Sequence, residues 1–336
     1  MSIFAGRVAR AWLLILFLLV CLAGLPGALR SPAAEARISG GIESYLKKQG
    51  YISIVLERDQ GNLLYVRPVF KGRKIRFTLD TGASGTLIDK SIAADLKKID
   101  GVQVKLDDKF LENVTDPALV LIENLQVGPI EFRNQPAFVA TVAGDMFSDQ
   151  KGILGCDFCV RHNAIIDCAR RRLFVKTTAP TAETRSTLAQ TLRRSGYVEV
   201  PLELTAGFPL ACVAKANDEP IKLVVDTGAT WNLLDERWGR VRRLSLTDTN
   251  VRIAGIGDIG SHAMQVTRLQ KFELGDLTLK DVYFGLTSLD AWGLSDRGKW
   301  MPDTNGLLGA ETLAENGALI DYASMTLWVL KPNNRS

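Results

Sequence analysis

The same five-residue phrase occurs twice. Asp80-Thr81-Gly82-Ala83-Ser84 recurs, with one conservative change, as Asp226-Thr227-Gly228-Ala229-Thr230, 146 residues further on. A lone Asp-Thr-Gly is an ordinary turn: the glycine lets backbone approach closely, and the hydroxyl can bond to a neighbouring chain. Two copies in matched surroundings allow more. Duplicated units tend to associate about a two-fold axis. Equivalent loops near that axis would bring Asp80 and Asp226 side by side. Two close carboxylates do not both ionise readily, so they hold one proton between them. One can then take a proton from water while the other donates a hydrogen bond to a carbonyl oxygen. That is general acid–base hydrolysis with no metal and no covalent intermediate.

The surroundings do match. Gly50-Tyr51 pairs with Gly196-Tyr197 at the same interval, so Leu46 to Asp89 aligns with Leu192 to Asp235 without a gap. Further on, Gly152-Ile153-Leu154-Gly155 pairs with Gly306-Leu307-Leu308-Gly309 at an interval of 154, as do Ile166-Asp167 with Ile320-Asp321 and Leu173-Phe174-Val175 with Leu327-Trp328-Val329. A unit written twice implies two similar lobes. We place them at 37–177 and 185–331, joined by a small, polar, proline-containing linker at 178–184. Ile75, Phe77 and Leu79 alternate with Lys74, Arg76 and Thr78, and Ile221, Leu223 and Val225 fall in register with them. Period two predicts a strand running into each aspartate. Leu87-Ile88 and Leu233-Leu234 predict another strand after each loop. Short helices are expected after Asp89, after Gly155 and Gly309, and at Ile42–Gln49 and Thr187–Ser195, the last two stopped by Gly50 and Gly196. The fold class expected is mostly β, two lobes with short helices.

On these residues the chain resembles the aspartic peptidases. The likeness rests on apolar-apolar-Asp-Thr-Gly-Ala in each lobe and on the downstream Ile153-Leu154-Gly155 and Leu307-Leu308-Gly309. Gly155-Cys156-Asp157-Phe158 and Ala164-Ile165-Ile166-Asp167 look similar to bacterial exported retropepsin-like proteins, although both halves sit in one chain, as in pepsin-like enzymes. The resemblance implies a bilobal acid-protease β-barrel fold with Asp80 and Asp226 as catalytic dyad. Thr81 and Thr227 would bond across the lobe interface, and Gly82 and Gly228 would orient the carboxylates. It also implies a peptide or protein substrate lying across both lobes, no cofactor, and a monomer that is its own pseudo-dimer. Ala83 and Ala229 stand where pepsin-like enzymes often place a hydroxyl that stabilises the anionic dyad. Their lack of one predicts an acidic to mildly acidic optimum. A flap is expected at Gly255, Ile256 and Gly257, whose glycines suit a mobile hairpin tip. The matching stretch of the first lobe, Lys105 to Val120, turns at Asn113 to Pro117 and lacks such glycines, so one working flap is expected. A non-catalytic peptide-binding protein of the same fold is the alternative from another class. A site completed by pairing of two chains is a third.

The composition narrows the chemistry. The 336 residues carry 41 basic and 37 acidic side chains, a net charge of +4, and no long single-sign run. Nothing there suggests nucleic acid. Two histidines, His162 and His262, exclude a multi-histidine metal site and leave two candidates for the base of a serine triad. Five cysteines are too few for a disulfide scaffold. Cys156 and Cys159 form a CxxC near His162 and Cys168. Buried thiols, a bridge formed on export, and a metal or redox role all remain open for them. Trp292 and Trp300, in the longer second lobe, are candidates for cleft walls or ordinary loop packing. Arg170-Arg171-Arg172 is expected in a solvated hairpin turn. At the N-terminus Arg7 and Arg10 precede an uncharged stretch at 11–29, and Ala34-Glu35-Ala36 offers a cleavage site. Residues 1–36 therefore suit a secretory signal or, since the run nears the length that spans a bilayer, a membrane anchor. The expected location is periplasmic or secreted, or anchored in the membrane through that segment.

Overall fold

The computed structural model describes residues 20–21, 41–99, 118–142, 149–205, 209–254, 262–289 and 304–331. The expected signal or anchor at 1–36 lies almost wholly outside them. So do the flap candidate Gly255, Ile256 and Gly257, the turn at Asn113 to Pro117, and Trp292 and Trp300. Among the described residues no helix is long and apolar enough to cross a membrane.

In the second lobe six strands close into a barrel. Leu210–Ala216 pairs antiparallel with Glu219–Val225, which runs parallel to Gly306–Leu308. That short strand is antiparallel to Leu233–Asp235, itself parallel to Leu277–Thr287. Leu277–Thr287 forms a hairpin with His262–Leu274, which returns to Leu210–Ala216. The first lobe repeats the central part. Arg76–Leu79 runs parallel to Gln150–Leu154, which is antiparallel to Leu87–Asp89, which is parallel to Ile130–Ala140. Its sheet stays an open path among the described residues.

The expected strands are present, but their burial differs from simple alternation. Arg76–Leu79 buries Phe77, Thr78 and Leu79 alike, and Leu87–Asp89, Leu233–Asp235 and Gly306–Leu308 are buried throughout. Strands flanked on both sides inside a lobe have no solvent face. Thr78, expected outward, is therefore inside, where its hydroxyl accepts from Gln150 Nε2 at 2.6 Å. That bond removes the cost of burying a lone hydroxyl.

A third sheet joins the lobes. Its order is Ile52–Val55, Arg172–Val175, Ile165–Asp167, Leu319–Asp321, Thr326–Leu330, Tyr197–Leu204. Its centre is symmetric: Ile166 faces Ile320, its own counterpart in the repeat, while Ile165 faces Asp321 and Asp167 faces Leu319. The helices at residues 41–48 and Ala182–Arg194 cover one face of this sheet. Ile42, Leu46, Leu188 and Leu192 pack there with Phe174, Trp328 and Leu330.

Two local expectations are corrected. The segment 178–184 is not all linker: Thr181 accepts from Thr184 N at 3.1 Å, and this N-cap starts the helix at Ala182. The arginine run does turn a hairpin, with Arg171 at φ +57°. Arg170 is not solvated, however. Its guanidinium is mostly buried and donates to Asp167 Oδ2 at 2.9 Å and to Tyr197 Oη at 3.2 Å.

Candidate active site

Each aspartate ends the strand that was expected to carry it. Asp80 N donates to Leu154 O and Asp226 N to Leu308 O, so each loop leaves its strand braced by the neighbouring apolar strand. Behind each loop a glycine and a short helix lie against it. Cys156 N and Asp157 N donate to the carbonyls of Ala83 and Ser84, and Ala310 N and Glu311 N do the same to Ala229 and Thr230. Glycine is required at the crossing. A Cβ on Gly155 would sit 2.5 Å from Gly85 O, and one on Gly309 would sit 2.3 Å from Trp231 O.

The loops meet at the lobe interface. Thr81 Oγ1 donates to Val225 O at 2.7 Å and accepts from Thr227 N at 3.0 Å. Thr227 Oγ1 donates to Leu79 O at 2.7 Å and accepts from Thr81 N at 3.0 Å. Each hydroxyl thus uses its proton and a lone pair on the opposite lobe. Within each loop one carboxylate oxygen is held in the same way. Gly82 N and Ala83 N lie 2.8 and 3.1 Å from Asp80 Oδ1, and Gly228 N and Ala229 N lie at the same distances from Asp226 Oδ1. A Cβ on Gly228 would fall 2.3 Å from Asp80 Cγ, so the first carboxylate rests directly on the second loop.

The outer oxygens, Asp80 Oδ2 and Asp226 Oδ2, are buried, and no hydrogen-bond donor reaches them. The two carboxyl groups lie close enough to interact directly, and each shifts the other's titration. Burial is the largest influence on both. It raises Asp80 to about 6, against the pull of the Gly82 N–H and the bond from Asp226. It raises Asp226 well above the ordinary carboxylate range, helped by the Asp80 charge. Ala83 and Ala229 bring no hydroxyl to the outer oxygens. The hydroxyls one residue on, Ser84 and Thr230, are buried without a partner and do not replace it. Cys156, Cys159, Cys168 and Cys212 are buried free thiols. No cluster able to hold a metal ion occurs among the described residues.

The structure thus brings Asp80, Thr81, Gly82, Asp226, Thr227 and Gly228 into one constellation. The flap residues are not among those described. Sequence reading passed over the groups behind the loops. Asp157 accepts from Thr86 Oγ1 at 2.8 Å and from Gln135 Nε2 at 3.2 Å, while Asn232 receives Gly309 N at 2.9 Å and donates to Thr312 Oγ1. Thr86 and Asn232 are counterparts in the repeat but differ in type, so a search for identities misses them.

The model of the aspartyl protease family matches residues 66–158 and 213–312, and the chain belongs to that family. Each matched segment holds one Asp-Thr-Gly and one apolar-apolar-Gly element, and the two lobes are the bilobal fold of aspartic proteases. Among solved structures, a retropepsin-like aspartic protease from Rickettsia conorii is similar at 21% identity, over 37% of this chain and 89% of that one, with a TM-score of 0.26. The aspartic proteinase from Irpex lacteus is similar at 12% identity over 85% and 98%, with a TM-score of 0.47. Basic 7S globulin from soybean follows at 9% identity over 83% and 94%, with a TM-score of 0.40. No curated protein matches the sequence.

Proposed function

We propose that the protein is an exported aspartic-type endopeptidase whose two aspartates activate water within a single chain. The observation that carries this reading is the pair of buried carboxyl groups at a lobe junction locked by reciprocal threonine bonds. An extended peptide lies across both lobes. The ionised carboxylate takes a proton from water as it attacks the scissile carbonyl, and the protonated one donates to the carbonyl oxygen. The proton then passes to the leaving amine. The backbone N–H groups of residues 82, 83, 228 and 229 hold the inner oxygens still, so the outer oxygens are left for chemistry. The N-terminal segment at 1–36 delivers the lobes across the membrane, or tethers them there.

A peptide-library digest run across pH tests the reading. Wild type should cleave with an acidic to mildly acidic optimum and be blocked by a statine-type peptide. Asp80→Asn and Asp226→Asn should each lower kcat by at least about 100-fold, the scale of lost acid–base catalysis. A variant that cleaves like wild type would remove the dyad assignment. Inhibitor binding without any cleavage would favour a peptide-binding protein instead.

A further inference from the structure

The hydrogen bonds immediately around the two aspartates are matched to within 0.1 Å between the lobes. The difference lies one layer behind. Cys156 Sγ is 3.0 Å from Thr81 O, and Tyr322 Oη is 3.4 Å from the same sulfur. The thiol has one proton, which goes to the carbonyl, so the tyrosine hydroxyl donates to sulfur. Both groups are buried, and burial holds both well towards their neutral forms, so these protons stay in place. The counterpart of Cys156 in the repeat is Ala310, a methyl group, and the counterpart of Tyr322 is Cys168. A methyl group cannot donate to Thr227 O as the thiol does to Thr81 O.

The Thr81 carbonyl and the Gly82 N–H belong to one peptide unit. A donor on that carbonyl polarises the unit and strengthens the N–H as a donor. That N–H is the one bonded to Asp80 Oδ1 at 2.8 Å. A continuous chain therefore runs from the Tyr322 hydroxyl through the Cys156 thiol and the peptide to the first carboxylate. The other titratable groups facing this cluster are Asp226, Asp157 and Cys159.

We propose that Cys156 and Tyr322 are positioning residues that bias the dyad, lowering the proton affinity of Asp80 relative to Asp226 through the Thr81–Gly82 peptide unit. This bias concerns the site of the proposed peptidase but does not depend on cleavage taking place.

The test is a carbon-13 titration of the aspartate carboxyls in the whole protein, with Asp80→Asn and Asp226→Asn assigning the two signals. The pH profile of kcat/KM is recorded beside it. In wild type the signal moving at the lower midpoint should be Asp80. Cys156→Ala should raise that midpoint by on the order of 0.3 pH unit, a fraction of one hydrogen bond to a charge. The acid limb of kcat/KM should move with it. Tyr322→Phe, which keeps the ring, should shift it less in the same direction. Cys156→Ser, which keeps a donor, should return it to the wild-type value. A lower midpoint belonging to Asp226, or an unmoved midpoint in folded Cys156→Ala and Tyr322→Phe, would overturn the proposal. Absence of cleavage by wild type would overturn the peptidase reading while the titration still decides this one.

Discussion

Asp80 and Asp226 each present one anchored oxygen and one outer oxygen, and their burial sets how the protein should respond to pH. A carboxyl whose proton is held more tightly folded than unfolded favours the native state below the unfolded value. That advantage is lost as pH rises to the folded value. For Asp80 the window runs from about 4 to about 6. Asp157, which burial also raises to about 6, adds a slope of the same sign. Thermal unfolding should therefore show Tm falling across that window in wild type, and falling less in Asp80→Asn. Equal slopes in the two proteins would contradict the buried-dyad account. The threonines carry a separate expectation. Thr81→Val keeps the shape but strands Val225 O and Thr227 N, so stability should drop by about 2 kcal/mol, measured by denaturant unfolding. The aspartates were legible because the motif repeats. Cys156 was visible as half of a CxxC and within a family-like segment, but not as a partner of the first loop, because its contact with Thr81 joins positions 75 residues apart.

At the scale of elements, short strands position the site and capped helices end them. Asp89 and Asp235 close the strands after each loop and accept from Ser91 N and Arg237 N, which begins the helix expected after Asp89 and another, not expected, after Asp235. Their second oxygens accept from Val142 N and Leu289 N and tie in the chain that returns. The first of these helices was legible because its cap is a local signal, whereas the second was missed although Asp235 caps it in the same way. Burial of Thr78 was not legible, since it depends on which strands flank it. The crossings behind the loops tolerate no side chain at their glycines. Gly309→Ala places a methyl against the Trp231 carbonyl, backbone that cannot swing aside. It should destabilise the second lobe by about 2 kcal/mol or more and depress activity at every pH. A variant with wild-type stability by calorimetry would show that the loop has room to move.

The lobes share too much to behave separately. The six-stranded sheet takes three strands from each, the two helices over it come from both, and the threonine bonds cross the same boundary. Calorimetry should therefore show one cooperative unfolding transition, and two resolved peaks would show that the junction is weaker than its bonding suggests. Duplication was legible from the intervals of 146 and 154, and with it the two-lobed plan. The joining sheet was not, because Ile165–Asp167 and Leu319–Asp321 are three residues long and carry no readable period.

The pairing of Ile166 with Ile320 has one more consequence. A register centred on a residue and its own duplicate is palindromic: turned end for end, it presents the same partners. Such an edge does not distinguish the far half of its own molecule from a copy of itself. A first half released on its own would carry a ready seam for a twin, with one aspartate offered from each side.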